Sequence, residues 1–70
     1  MERLINKVRV CRAERDISQD TLAKAVGVAR QTIVAIEGGD YSPSVALALK
    51  IARHFNKPVE EVFSLKETDL

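Results

Sequence analysis

The residues with the most suggestive chemistry in this chain lie in residues 18–39, where two short runs of helical periodicity flank Gly27. Each run offers one apolar stripe to a common core, Leu22 with Val26 and Ile33 with Ile36. Four residues fall together on the opposite side of the second run with no reason to be buried: Arg30, Gln31, Val34 and Ala35. Two helices joined at a steep angle by a short glycine-containing turn form a helix-turn-helix, whose second helix is shaped to enter the major groove of DNA. The segment therefore predicts a sequence-specific DNA-binding protein.

The sequence gives little support for catalysis, metal binding or nucleotide binding. Cys11 and His54 are the only candidates for soft-metal or nucleophilic chemistry, and neither has a partner at the spacing of a ligand set or a catalytic triad. Glu60 and Glu61 are adjacent in a predicted first helical turn, where they complement the helix dipole rather than form an acid–base pair. No glycine-rich phosphate loop is present. We therefore predict no enzyme activity, no metal, no cofactor and no small-molecule ligand.

Size and composition indicate one domain, residues 1–70. A single core in a chain of 70 residues rarely supplies more than about 3–5 kcal/mol of net stability, so help from a partner subunit is expected. One cysteine excludes an intrachain disulfide and favours the reducing cytoplasm. The longest apolar run, residues 45–49, is too short for a signal peptide or a membrane span. We expect a cytoplasmic protein that does not contact a membrane.

Charge is unevenly distributed along the chain, although the formal net charge is only +1. Residues 1–30 carry seven basic and four acidic side chains, whereas residues 31–70 carry four basic and six acidic side chains. A basic half that contains most of the predicted motif suits a protein that presents one face to a polyanion. On charge alone, a random surface distribution explains the split equally well.

Turn signals every ten to fifteen residues, with helical periodicity between them, predict an all-α domain of about five helices. Asn6 and Ser18 can cap the first two helices with their side chains, whereas Ala29 cannot cap the third. Gly27 is suited to the left-handed conformation that ends the second helix. Residues 38–39, both glycine, end the third.

The fourth helix is predicted to start at Ser42-Pro43, with Pro43 at its first position, and to be the central buried helix. It is apolar on most sides, and its expected core stripes contain Val45, Ala48, Leu49, Ile51, Ala52 and Phe55. A short fifth helix follows Lys57-Pro58. The chain ends, Arg3 to Ile5 and Phe63 to Lys66, are expected to pair as two short strands.

The stretch ISQDTLAKAVGVARQTIVAIEGG resembles the helix-turn-helix of the lambda-repressor, Cro and xenobiotic-response-element family. It combines a Gln at the start of helix two, a Gly at the turn, an Arg-Gln pair opening helix three and a Glu closing it, and this combination is specific although each part alone is weak. The tail YSPSVALALKIARHFNKPVEEVF is similar to the region that follows in small stand-alone members, so the resemblance covers residues 4–65. It implies a five-helix lambda-repressor-like domain that acts as a transcriptional regulator.

The resemblance implies a role for individual residues. Arg12 and Glu37 match a buried ion pair that holds helix one to helix three. Base contacts are implied for Arg30, Gln31, Val34 and Ala35: an Arg fork fits guanine O6 and N7, a Gln amide fits adenine N6 and N7, and Val34 meets a thymine methyl. Phosphate contacts are implied for Ser18, Gln19, Thr32 and Ser42. Gln19 is also expected to orient Arg30.

Three positions depart from the family pattern, and each removes or opposes a phosphate contact. Ala29 stands where Ser or Thr is usual, Gly38 where Asn is usual, and Asp40 where Lys or Arg often contacts the DNA backbone. We therefore expect modest affinity per subunit and a shallow salt dependence.

The resemblance favours a repressor that binds a palindromic double-stranded operator as a homodimer, with half-sites about one helical turn apart. Tyr41, Phe63 and Leu65, expected to be left over once the core is filled, are the predicted dimer surface. Two alternatives remain open. One is an antitoxin or a restriction-modification controller of the same fold. The other is a helical protein-interaction module without DNA binding, which the weak net charge and the missing phosphate contacts favour.

Overall fold

Within residues 1–67, five helices and two strands make up the fold, as the sequence predicts. The computed structural model describes residues 1–67. The elements in chain order are β1 (Glu2–Asn6), α1 (Val8–Arg15), α2 (Gln19–Val26), α3 (Arg30–Glu37), α4 (Val45–His54), α5 (Val59–Val62) and β2 (Phe63–Glu67). The all-α five-helix prediction and the pairing of the chain ends are both confirmed.

The α2–turn–α3 unit forms where the local signals predict it. Ser18 caps α2, because its Oγ accepts a hydrogen bond from the backbone N–H of Thr21 at 3.0 Å. Gly27 ends α2 with a φ of +78°, a left-handed conformation that costs glycine little. Ala29 precedes α3 and makes no side-chain cap bond. The start of α3 therefore depends on packing, with Ile33 fully buried one turn into the helix.

Asn6 joins the terminal sheet to two helices. Its Oδ1 accepts a hydrogen bond from the Val8 backbone N–H at 3.1 Å, as the sequence predicts, but Lys7 and not Asn6 occupies the cap position of α1. Its Nδ2 donates to the carbonyl of Ile36 near the end of α3 at 2.9 Å. β1 pairs antiparallel with β2 in a register that places Asn6 opposite Phe63. The sheet is thereby attached to the C-terminal end of α3.

The prediction for α4 is partly wrong. Ser44, and not Ser42-Pro43, starts the helix, because the Ser44 Oγ accepts the free backbone N–H of Leu47 at 3.1 Å. Val45 and Leu49, expected in the core, are 77% and 51% exposed, whereas Leu47 is 8% exposed. The core side of α4 is set by its contacts with α2 and α5. Because α4 has apolar residues on most of its circumference, its sequence leaves several sides that could face the core.

Every helix contributes side chains to one core, which also takes in Phe63 at the start of β2. Phe63 is 8% exposed, so the expectation that it is left over once the core is filled is wrong. It directly follows Val62, the last residue of α5, and packs inward with it. Tyr41 and Leu65 remain exposed. None of the helices in residues 1–67 has the length and apolar character needed to cross a bilayer.

Candidate nucleic-acid interface

The first turn of α3 presents two adjacent polar side chains to solvent. Arg30 and Gln31 are both exposed, while Ile33 and Ile36 on the opposite side of α3 are 0% and 1% exposed. Packing of α3 against α2 fixes this orientation, since these two helices are neighbours in the core. The predicted base-reading pair therefore lies at the accessible end of a firmly anchored helix.

Val34 and Ala35 lie farther along α3 and are only partly exposed. They form the middle of the same surface and carry no polar side-chain atoms, so they leave room for a close approach by another molecule. The structure thus places all four predicted base-contacting residues on one helix, with the polar pair at its start.

A buried ion pair anchors the opposite end of α3. Arg12 Nε donates to Glu37 Oε2 at 2.6 Å, and Arg12 Nη2 donates to Glu37 Oε1 at 3.1 Å. The Glu37 side chain is 1% exposed and that of Arg12 is 16% exposed. Arg12 Nη1 also donates to the carbonyl of Ile17 just before α2. This bidentate pair therefore connects α1, the start of α2 and the end of α3.

Gln19 links the buried ion pair to the surface. Its Nε2 donates to Glu37 Oε1 at 3.2 Å, and its Oε1 accepts a hydrogen bond from Arg30 Nη2 at 3.4 Å. The contact expected between Gln19 and Arg30 is present. The bond from Gln19 to Glu37 was not predicted, because no local signal relates two residues 18 positions apart. A continuous hydrogen-bonded path runs from Arg12 through Glu37 and Gln19 to Arg30.

Glu37 keeps its negative charge despite its burial. Desolvation alone would raise the pKa of the Glu37 carboxyl, but hydrogen bonds from Arg12 and Gln19 and the charges of Arg12 and Arg9 outweigh it, so the pKa is lowered. Arg9 Nε lies 3.7 Å from Glu37 Oε1 on an exposed side chain. The hydrogen bond to Glu37 raises the pKa of Arg12. Both partners of the ion pair are therefore charged at neutral pH.

The residues predicted to contact phosphate fall into two places. Ser18 and Gln19 lie at the start of α2, and the bond from Gln19 to Arg30 shows that this start adjoins the first turn of α3, which holds Thr32. Ser42 is exposed in the loop between α3 and α4. The structure therefore groups three of the four residues around two neighbouring helix starts, where free backbone N–H groups favour anions.

The loop that follows α3 contains two of the departures from the family pattern, Gly38 and Asp40. A Cβ on Gly38 would lie 3.3 Å from Asp40 Oδ2. Arg3 of β1 lies beside this loop, with its Nη2 3.5 Å from the Cβ position of Gly39. Sequence reasoning missed Arg3 as a candidate anion contact, because only strand pairing brings the chain start here. In the sequence, Arg3 stood out only as one of the seven basic residues in residues 1–30.

Residues 1–67 hold no group of three or more His, Cys, Asp or Glu side chains placed to bind a metal ion. Cys11 is 2% exposed, and burial raises the pKa of its thiol, so it stays in the less reactive protonated form. The polar site at the starts of α2 and α3 is built for hydrogen bonding and charge, with no activated nucleophile in it.

Comparison with known proteins gives a consistent result. The helix-turn-helix family model matches residues 8–62. The chain is 53% identical over 62 residues to an uncharacterized HTH-type transcriptional regulator, YgzD, of Bacillus subtilis strain 168, covering 89% of this chain and 94% of that protein. It is 35% identical over 65 residues to the cryptic phage CTXphi transcriptional repressor RstR of Vibrio cholerae, covering 93% of this chain and 59% of RstR. The crystal structure of the restriction-modification controller protein C.AhdI of Aeromonas hydrophila superposes with a TM-score of 0.72 at 30% identity, covering 77% of this chain and 78% of that one.

Proposed function

This chain belongs to the helix-turn-helix family, and on that premise we propose that it is a transcriptional regulator that binds double-stranded DNA in a sequence-specific manner. The observation that carries the proposal is the exposed Arg30–Gln31 pair at the start of α3, with Arg30 oriented by Gln19 and the far end of the helix anchored by a buried ion pair. Side chains held in this way reach base edges without losing as much conformational freedom on binding as free side chains would.

Base reading falls to α3 in the major groove. The fork of Arg30 suits guanine O6 and N7, and the amide of Gln31 suits adenine N6 and N7, each bidentate pair discriminating by about 1–3 kcal/mol against a wrong base. Val34 meets a thymine methyl group, and Ala35 permits close approach. Because these two side chains are partly buried by the protein itself, their share of the discrimination is the smaller one.

Phosphate contacts position the protein on the duplex. Ser18, Gln19 and Thr32 flank the two helix starts, and Ser42 adds a hydroxyl from the loop after α3. Asp40 in the same loop opposes the DNA backbone, while Arg3 beside it supplies a compensating cation. The balance supports modest affinity per subunit and a shallow dependence on salt.

A homodimer on a two-fold related operator accounts for specificity that one small domain would not reach. Each copy reads one half-site, and two half-sites about one helical turn apart double the number of base contacts. Repression by occupancy is the proposed outcome, supported by the similarity to RstR, which is named as a transcriptional repressor. The single buried free thiol, Cys11, fits the reducing cytoplasm as the place of action.

A second candidate is a restriction-modification controller, which the similarity to C.AhdI favours. It requires the same DNA-binding face and differs in the genes that the operator controls. An operator upstream of a methyltransferase or endonuclease gene would select this candidate.

Selection of bound sequences from a random duplex pool tests the proposal. We expect enrichment of an inverted repeat whose half-site centres lie about 10 base pairs apart. Titration of mixed-sequence DNA with salt is the companion measurement, and we expect retention at about 50 mM salt. The absence of both enrichment and retention would contradict DNA binding and favour a protein-interaction module.

A further inference from the structure

The second half of α4 carries two cationic side chains and a histidine on one face. Lys50 lies three residues before Arg53 and four before His54, a spacing that puts the Lys50 side chain next to the other two. α4 contains no acidic residue that could offset them. Neither Lys50 nor Arg53 forms a salt bridge within residues 1–67. Because neighbouring like charges repel, this face is a place where an anion would stabilise the protein.

An open hollow of about 450 Å³ lies between this face and the end of α2. Residues 24–27 line its α2 side, so Lys24 adds a third cation to those of Lys50 and Arg53. Among residues 1–67, no acidic side chain lines the hollow. Nothing lies within 4 Å of the position that a Cβ on Gly27 would take, so this wall leaves the space free. Pockets for small molecules have volumes of roughly 300–1,000 Å³, and the hollow falls within that range.

Cations near the end of a helix often serve only to neutralise its free carbonyls, but the end of α4 has other donors. The backbone N–H groups of residues 55–57 donate to the carbonyls of residues 51–53. The carbonyl of His54 accepts a hydrogen bond from Arg15 Nη1 at 3.0 Å. The last four carbonyls of α4 therefore all have a donor, and none of these donors is a side chain that lines the hollow.

Lys24 is the only cation around the hollow that has an acidic partner within residues 1–67. Its Nζ lies 3.2 Å from Asp20 Oδ2, and the two side chains are 79% and 55% exposed. An exposed pair of this kind contributes little to stability, so Lys24 can exchange Asp20 for another anion. The His54 ring packs edge-on against the Phe55 ring, with the centroids 5.3 Å apart, and this contact positions its ring nitrogens beside the cations.

We propose that this hollow binds a small soluble anion with two or more negative charges, of the pyrophosphate or phosphate-ester class. Phosphate oxygens accept charge-assisted hydrogen bonds from an ammonium and a guanidinium group at once, which a single small halide ion could not match. None of the residues proposed to contact bases or DNA phosphates lines the hollow. The site is therefore additional to the DNA-binding face and goes beyond the proposed function.

Isothermal titration calorimetry of the full chain with pyrophosphate, without DNA and at about 50 mM salt, tests the site. We expect saturable binding of one pyrophosphate per chain. Lys50→Gln and Arg53→Gln should each raise the dissociation constant by about tenfold, because each removes a charged hydrogen-bond donor. Lys66→Gln is the matched control, since it removes one positive charge from an exposed position on β2 that does not line the hollow. All three side chains are exposed, so far-UV circular dichroism of the variants is expected to match that of the unaltered chain.

Two results of this titration would overturn the proposal. One is heat that does not saturate, and the other is equal dissociation constants for Lys50→Gln, Arg53→Gln and Lys66→Gln. Either result would indicate general attraction of anions to a basic surface. Because the titration contains no DNA, its outcome does not depend on whether the proposed DNA binding is correct.

The DNA backbone is the other source of the same phosphate chemistry, and a second measurement separates the two sources. Binding of the variants to a duplex that contains one selected half-site is compared with that of Lys66→Gln. We expect equal duplex affinities together with weaker pyrophosphate binding by Lys50→Gln and Arg53→Gln. Weaker duplex binding with unchanged pyrophosphate binding would assign the hollow to DNA phosphates and overturn the proposal.

Discussion

Removing the charge of Arg12 should nearly unfold the domain, and Arg12→Met is the cleanest form of this change. Methionine keeps most of the packing volume, so the variant isolates the effect of the lost charge from that of a cavity. The Glu37 carboxylate would lose hydrogen bonds of 2.6 Å and 3.1 Å. It would keep the bond from Gln19 and the weaker ion pair with the exposed Arg9, whose Nε lies 3.7 Å from Glu37 Oε1. At 1% exposure the carboxylate has no access to water that could replace Arg12.

The magnitude follows from the burial of Glu37. Stranding one partner of a buried ion pair costs about 3–5 kcal/mol, which is as much as the core of so small a chain supplies. At about 4–8 °C per kcal/mol for a domain of this size, the melting temperature should drop by about 12 °C or more. Glu37→Ala should also destabilise the domain, but by less. The Arg12 side chain that loses its partner is 16% exposed, so it can turn toward water.

Thermal unfolding followed by circular dichroism, with a double-mutant cycle, checks this reasoning. Arg12→Met combined with Glu37→Met should be more stable than Arg12→Met alone, because the second change removes the stranded charge. Arg15→Met on the same helix is the matched control, because the exposed Arg15 contacts only the His54 carbonyl and the Phe55 ring, at 5.8 Å, so its loss leaves no carboxylate without a partner. A melting temperature of Arg12→Met close to that of Arg15→Met, or strictly additive effects in the cycle, would refute the buried-pair argument.

Four further predictions concern single positions. The pKa of Glu37 is lower in the folded protein than in the unfolded chain, so stability should be lost as pH falls below the ordinary carboxyl pKa of about 4.3 and toward the folded value. Urea unfolding of Glu37→Gln should lack this part of the pH dependence. Ala29→Ser should add the missing cap of α3 and raise the free energy of unfolding by about 1 kcal/mol in urea titrations; an unchanged or lower value would contradict the cap argument. Gly27→Ala should cost about 1–2 kcal/mol in the same assay, wholly from its φ of +78°, because nothing lies within 4 Å of the new Cβ; an unaltered midpoint would contradict this. Asp40→Lys should tighten DNA binding and steepen the log–log salt slope by about 0.9 in fluorescence anisotropy; an unchanged slope would place the loop away from the phosphates.

Local chemistry explains which parts of the fold could be predicted. Ser18 and Gly27 act through their own backbone and side-chain geometry, so their positions in sequence suffice to locate the ends of α2. The bond from Asn6 to the first turn of α1 could be predicted for the same reason, although the cap itself is one residue later, at Lys7. The second bond of Asn6, to the Ile36 carbonyl, joins residues 30 positions apart and has no local signal. Local signals therefore sufficed where the determining interaction lies within one helical turn, whereas the long-range contacts of Arg12 with Glu37 and of Gln19 with Arg30 were implied only by the family resemblance.

Tertiary packing explains where the sequence was insufficient. α4 offers apolar residues on most of its circumference, and only the positions of α2 and α5 decide that Leu47 is buried while Val45 and Leu49 are exposed. The link from Gln19 to Glu37 likewise depends on how three helices meet. In the candidate DNA-binding site, the residue types at the start of α3 were predictable from the motif, whereas the path that orients Arg30 needed the structure.

The central claim is that the first turn of α3 reads bases, and the most direct measurement is the ratio of affinities for the selected operator and a scrambled duplex at one salt concentration. Arg30→Ala and Gln31→Ala should each lower this ratio by a factor that corresponds to about 1–3 kcal/mol of binding free energy, where each 1.4 kcal/mol is about tenfold. Lys24→Ala removes the same charge as Arg30→Ala from the far end of α2, where Lys24 pairs with Asp20, and should leave the ratio unchanged. An unchanged ratio in both Arg30→Ala and Gln31→Ala would contradict the account.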